Sequence, residues 1–317
     1  MSSDVLAGSV PAAFGCLFDD PAVTEVMVNG GAVWVERAGR LERSAVVLGR
    51  DAVFRLVDRL VGLGGTRVDR AAPLAELRLP DGSRANVVLP PVAPDGPCVT
   101  IRRFALVHAR IADFGGHELE DLLGDAVRAG VNIVVAGATG SGKTTLLNAL
   151  AAAVPHDQRI VTVEDVAELR IDHPHVVRLE ARRPNADGIG EVTIRRLVVN
   201  ALRMRPDRIV VGEVRGPEVL DMVQAMNTGH GGSLSTCHAN SGPDALRRLE
   251  AMALLGADGW PLDFVRGQLA AAVGWLVMTA RQADGARRVV SVAEVDRSAG
   301  WDRPDSLRLR YPSEAAS

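Results

Sequence analysis

Short runs of apolar residues separated by polar turns open the chain. Val26-Met27-Val28 and Val33-Trp34-Val35 read as strands, and Ala38-Gly39-Arg40 reads as the turn into a third. From Asp51 to Val61 the period lengthens: Val53, Leu56, Val57, Leu60 and Val61 share one face, which predicts an amphipathic helix stopped by Gly62, Gly64 and Gly65. Leu77-Arg78-Leu79 and Ala85 to Leu89 flank Pro80-Asp81-Gly82-Ser83, a hairpin signal, and Pro90 to Pro97 lead to another strand at Cys98 to Ile101. Around Phe104 to His117 the periodicity fades, and Gly115-Gly116 lies there. From Leu119 helical and strand patterns alternate, which predicts a mostly parallel sheet covered by helices. The expected layout is a smaller α+β domain over residues 1–110, a linker at 111–118, an α/β domain over 119–297 and a flexible tail over 298–317.

Composition narrows the functional classes. Hydrophobic residues make up 47% of 317, so each domain can bury a core, but aromatics are only 3%. That core is therefore aliphatic, and stacking platforms for single-stranded nucleic acid are not expected. A formal charge of -3 gives no basic excess, so no sequence-specific nucleic acid is expected as a partner. Cys16, Cys98 and Cys237 are widely spaced and form no C-x-x-C, which fits a reducing cytoplasm. Met1 to Phe18 lacks the basic start of a signal peptide. No apolar run reaches the roughly 18 residues of a membrane span; the longest, Leu269 to Ala280, reads as a buried helix.

The chemistry is concentrated after Val131 to Ala136, a continuous apolar run of the kind a buried parallel strand needs. Gly137-Ala138-Thr139-Gly140-Ser141-Gly142-Lys143-Thr144 follows, the pattern G-x-x-x-x-G-K-[ST], and Thr145 to Val154 reads as a helix. Such a loop turns backbone N–H groups and a helix N-terminus toward phosphate oxygens. Lys143 would reach the β- and γ-phosphates of ATP, and the Thr144 hydroxyl would bind Mg²⁺. The 36 basic residues are 35 arginines and Lys143. A phosphate loop wants a compact point charge, which a planar guanidinium does not supply. With no second lysine, the N-K-x-D box of guanine-specific proteins cannot exist.

Two further predicted strands end in acids. Ile160 to Val163 leads to Glu164-Asp165, and Arg208 to Val211 leads to Gly212-Glu213. Ligands of α/β sheets bind at the C-terminal ends of strands, so one acid is a candidate for holding Mg²⁺ through water and another for orienting the attacking water. The bland reading is a helix cap, for Glu213 above all, before Pro217. Thr193 to Met204 predicts a helix ended by Pro206-Asp207. His230 and His238 stand eight apart, too wide for a local zinc pair, in a Gly/Ser/Thr-rich loop suited to sensing a phosphate.

Taken together these motifs resemble the type II/IV secretion ATPase family, and within it the tight-adherence (Flp) pilus ATPases of the CpaF/TadA type. The likeness runs from Asp20 to about Val295. It rests on Val23 to Gly30, Leu79 to Asn86, Val99 to Phe104, Val163-Glu164-Asp165 with Glu168-Leu169, Ala201 to Asp207 leading to Gly212 to Gly216, Met226 to His230 and Thr236 to Asn240. The resemblance implies a RecA-like P-loop motor domain and a homohexameric, Mg²⁺-dependent ATPase. It implies a cytoplasmic place, peripheral to the inner membrane through a platform protein, in secretion or pilus assembly. It implies Glu164 as base, Glu213 near Mg²⁺, and His238 close to the γ-phosphate. Arg84, Arg102 and Arg103, and after them Arg182 and Arg215, become candidates for contacting phosphate. Arg196, Val199 and Gly231 depart from the family's pattern. Two alternatives remain: a conjugation-associated or DNA-translocating ATPase of the same fold, and an ATP-gated scaffold whose hydrolysis is vestigial.

Overall fold

The computed structural model describes residues 6, 8, 10–37, 39–65, 67–103, 109–182, 184, 189–298, 300, 301, 303 and 306–312. Contacts divide the chain into two units, residues 1–106 and 107–317.

The first unit is an antiparallel sheet of six strands. These are β1 (Val23–Asn29), β2 (Ala32–Arg37), β3 (Arg40–Val47), β4 (Leu74–Arg78), β5 (Arg84–Val88) and β6 (Cys98–Arg102), in the order β3-β2-β1-β6-β5-β4. Helix α1 (Arg50–Gly64) buries Val53, Leu56, Val57 and Leu60 against Val26, Val28, Val33, Val87 and Ile101. Gly62 and Gly64 do not stop this helix. It runs through both and ends at Gly65, whose φ of +64° lets its N–H turn back to the Val61 carbonyl at 3.0 Å. The β4–β5 turn falls where the Pro-Asp-Gly-Ser signal placed it: Gly82 has φ +87°, and Asp81 accepts from the Ser83 N–H at 3.1 Å.

The second unit carries an eight-stranded sheet in the order β14-β13-β12-β7-β11-β10-β8-β9. The parallel part is β12 (Trp275–Arg281), β7 (Ile133–Gly137), β11 (Leu234–His238), β10 (Arg208–Val211), β8 (Ile160–Glu164) and β9 (Val176–Glu180). Strands β13 (Arg287–Val295) and β14 (Leu307–Pro312) extend it antiparallel. Both faces are covered, so β7 alternates between two cores. Ile133 and Val135 pack with α2 (His117–Arg128) and α3 (Lys143–Ala152). Val134 and Ala136 pack with α4 (Ile194–Ala201), α5 (Glu218–Asn227), α6 (Gly242–Leu254) and α7 (Leu262–Ala272). This double burial is why the strand reads as unbroken apolar sequence.

Three expectations are corrected here. Leu269–Ala280 is not one helix: α7 ends at Ala272, and Trp275 onward is strand β12. A strand buried on both faces shows no alternation, so periodicity could not separate it from helix. The tail expected over 298–317 contains β14, whose Leu307, Leu309 and Tyr311 register against Val295, Ala293 and Val292. The linker expected at 111–118 holds a short 3₁₀ turn, Ile111–Phe114, and the start of α2, with Ile111 and Phe114 buried in the second unit.

Candidate nucleotide site

Four neighbouring parallel strands, β7, β11, β10 and β8, end side by side. Register places His238 beside Gly137, and the Gly212 N–H donates to the Val163 carbonyl at 2.9 Å. Each strand therefore delivers one functional residue at the same edge: the phosphate loop after β7, His238 closing β11, Glu213 after β10, and Glu164 closing β8.

The loop is shaped by positions that tolerate no side chain. A Cβ on Gly137 would lie 2.4 Å from the Thr279 carbonyl and 2.5 Å from Ser141 Oγ. Gly140 and Gly142 have φ of +76° and +95°, so the chain turns sharply into α3 at Lys143. Ser141 Oγ meets Thr279 Oγ1 at 2.9 Å, fixing the loop to β12. Ala138, Thr139 and Gly140 are exposed, and Thr144 and Thr145 are half-buried in the first turn of the helix. The first N–H groups of a helix have no partner within it, so they are available to an anion.

Lys143 is 8% exposed. Its Nζ donates to the Gly137 and Ala138 carbonyls at 3.1 and 2.9 Å and stands 3.3 Å from His238 Nδ1. Nδ1 can face an ammonium only as an acceptor. His238 Nε2 therefore carries the hydrogen and stands 2.6 Å from Glu213 Oε1, close enough to pair electrostatically but not aligned as a hydrogen bond. Burial holds the His238 pKa below its usual value, with Lys143 pushing the same way and Glu213 opposing. Burial also lowers that of Lys143, again opposed by Glu213. Glu213 Oε2 accepts from Arg215 Nε at 2.6 Å. Lys143, His238, Glu213 and Arg215 thus lie in one line of polar contacts across the edge of the sheet. Glu213 is not the helix cap that its place before Pro217 suggested: the helix has no side-chain cap, and Glu218 instead holds the turn before it, accepting from the Arg215 and Gly216 N–H groups at 2.7 and 2.9 Å.

Glu164 is buried, 3% exposed. Its Oε1 accepts from the Glu168 and Leu169 N–H groups, both at 2.8 Å, while Oε2 has no hydrogen-bond partner among the described residues. Burial raises its pKa to about 7 against the lowering effect of those two N–H groups. The carboxylate lies over Gly212, where a Cβ would be 2.8 Å from Glu164 Cγ. A buried, half-satisfied carboxylate poised near neutral pH has the properties of a general base.

The donors fit Mg²⁺ in the manner of a phosphate loop. Among the described residues no three His, Cys, Asp or Glu side chains cluster as a metal cage. A magnesium ion would be held by Thr144 and phosphate oxygens, keeping waters that face the carboxylates.

The sequence profile of the family described as Type II/IV secretion system protein matches residues 15–291. The chain is 43% identical over 297 residues to a Mycobacterium tuberculosis protein whose name assigns it to conjugal transfer, covering 90% of this chain and 84% of that one. It is 35% identical over 278 residues to the type IV secretion system protein VirB11 of Brucella suis, covering 78% and 77%. This chain belongs to the type II/IV secretion system family. With its own phosphate loop in place, it is an ATPase of that family. The crystal structure of the VirB11 ATPase from Brucella suis, in complex with sulphate, covers 92% of this chain and 94% of its own at 31% identity and a TM-score of 0.50. The pilus retraction motor PilT with bound ADP shares the fold, at 20% identity, 92% and 80% coverage and a TM-score of 0.61.

The remaining candidates in this family member are placed less uniformly. His230 precedes β11 and His238 ends it, so the two histidines lie at opposite edges of the sheet. The two histidines therefore do not meet at one site. Arg103 spends its guanidinium on backbone carbonyls, Val23 at 2.7 Å and Asp20. Arg84 and Arg102 sit opposite one another on β5 and β6. Arg182 is exposed and bridges to Val192 through the backbone. Sequence reasoning missed Thr279 and Glu218, which shape the site, and Asn148, which accepts from the Arg170 N–H at 2.9 Å. Only Asn148, inside the phosphate-loop helix, offered a signal, as a polar residue amid apolar ones.

Proposed function

We propose that the chain is the Mg²⁺-dependent ATPase of a hexameric motor that drives type II/IV secretion or assembly of a Flp-type pilus. In this reading it works from the cytoplasmic side, held at the inner membrane by a platform protein. The observation that supports it is the shared edge where Lys143, His238, Glu213 and Glu164 arrive from four adjacent strands. Lys143 leaves the Gly137 and Ala138 carbonyls for the β- and γ-phosphates. Thr144 would hold the metal. Glu213 would face the metal's waters, and its carboxylate, 2.6 Å from Nε2, would keep His238 turned toward the γ-phosphate. Glu164 takes a proton from the attacking water with Oε2, while Oε1 stays held by two N–H groups. Arg84 and Arg102 are proposed phosphate contacts, with Arg103 behind them because its Nη1 is already given to two backbone carbonyls. No helix among the described residues is long and apolar enough to cross a membrane, so attachment through a partner is part of the proposal.

The second reading, transport of DNA in conjugation, draws on the relative named for conjugal transfer. A crosslinked pull-down from membranes separates the two. Recovery of a polytopic membrane protein, with turnover unaffected by DNA, supports protein or pilus export. Hydrolysis stimulated by DNA, in a salt-sensitive way, would move the assignment to DNA transport. An ATP-gated scaffold would release no phosphate at all.

A further inference from the structure

Glu164 is held by a turn, and the turn is held by the phosphate-loop helix. The N–H groups of Glu168 and Leu169 bind Glu164 Oε1, and the next N–H, that of Arg170, donates to Asn148 Oδ1 at 2.9 Å. Asn148 stands on α3 four residues after Thr144 and five after Lys143, so Thr144 and Asn148 share one helix face a turn apart. The same turn is gripped from the other side by Arg178 of β9, whose Nη2 donates to the Ala167 carbonyl at 3.0 Å. The groups that hold phosphate and metal, and the carboxylate that would face the water, thus hang on one short run of bonds.

We infer that Asn148 is a positioning residue for hydrolysis, tying the turn that presents N–H groups to Glu164 onto the helix that carries Lys143 and Thr144. This rests on Glu164 acting on the attacking water. The bond fixes the spacing between carboxylate and γ-phosphate, and it keeps the two N–H donors aimed at Oε1. Without it the turn is free to drift from α3, and the carboxylate loses both its aim and the donors that favour its ionised form. Arg178 and Glu168 are the charged groups acting on that carboxylate, and neither replaces a lost N–H.

The test compares Asn148→Leu, Asn148→Asp and Glu164→Gln in the full chain, measuring ATP hydrolysis against pH and binding of a fluorescent ATP analogue. Leucine is a strong helix former and removes the acceptor; aspartate keeps an acceptor of the same length. Asn148→Ala asks the same question with least bulk should leucine disturb packing. For Asn148→Leu the expected outcome is analogue affinity within about twofold of wild type and kcat lower by about 10- to 100-fold. Its acid limb should move up by about one pH unit, because a carboxylate deprived of N–H donors ionises later. Asn148→Asp should recover most of the kcat above pH 8. A wild-type kcat and acid limb in Asn148→Leu would overturn the inference. So would a parallel loss of affinity and kcat with an unmoved limb and no recovery in Asn148→Asp. Wild-type turnover in Glu164→Gln would instead overturn the reading of Glu164 itself, and the inference with it.

Discussion

Glu164 sits where ionisation is costly. Two N–H groups favour its charge, yet burial outweighs them and carries the pKa to about 7. A base must be ionised to accept a proton, so kcat should rise with pH through about 7 and level off above it. The same shift bears on stability. A carboxyl whose folded pKa is raised binds its proton more tightly in the folded state, so its charge costs nothing below the unfolded value of 4.5. The cost grows between 4.5 and about 7 and is complete above that. Glu164→Gln carries no charge at any pH. It should therefore be more stable than wild type by about 1–3 kcal/mol at pH 8.5 and nearly equal at pH 4, below the unfolded value. Denaturant midpoints at the two pH values check this; an equal difference at both would show that the carboxyl is not held up by burial.

At the scale of elements, the strand, glycine loop and helix around Lys143 were legible because each has an unmistakable local cause. Strand β7 is apolar on both faces, the glycines sit where a Cβ would collide or φ is positive, and the helix opens at the lysine. Glu164 and Glu213 were legible as acids at strand ends. The split of β12 from α7 was not, since Trp275 to Met278 is as apolar as the helix before it. Asn148 and Glu218 were not legible as partners because their bonds go to backbone N–H groups of segments with no periodic signature. The loop before β11 shows how much one glycine can carry. Arg208 is 4% exposed and donates to the Gly231 and Val127 carbonyls and to Gln158. A Cβ on Gly232, at φ +79°, would fall 1.1 Å from Arg208 Nη1. Gly232→Ala should therefore displace a buried cation and cost at least about 2 kcal/mol. Gly231→Ala meets only the Gly130 carbonyl at 3.4 Å and should cost about 0.5 kcal/mol or less. Urea unfolding of the pair checks the contrast, and equal losses would remove Arg208 as the reason.

For the whole molecule, two units of different construction follow from two patterns in the chain: alternation in the antiparallel sheet, unbroken apolar runs in the parallel one. Where one gives way to the other was read too late in the chain, because Ile111 and Phe114 look like linker residues until the core they enter is known. The proposed ring lies beyond a single chain. Light scattering with Mg²⁺ and a non-hydrolysable ATP analogue should give the mass of six copies of 33.6 kDa. A strictly monomeric mass under those conditions would count against a motor. Arg196 and Val199 are both exposed on α4.

The central claim is that four strand ends form one hydrolytic site, with Lys143 for binding and Glu164 for the chemical step. It is tested most directly by measuring nucleotide binding and phosphate release together in Glu164→Gln. Wild-type affinity for ATP is expected, with phosphate release lowered by about 10²-fold or more. Binding and release both unchanged would contradict it.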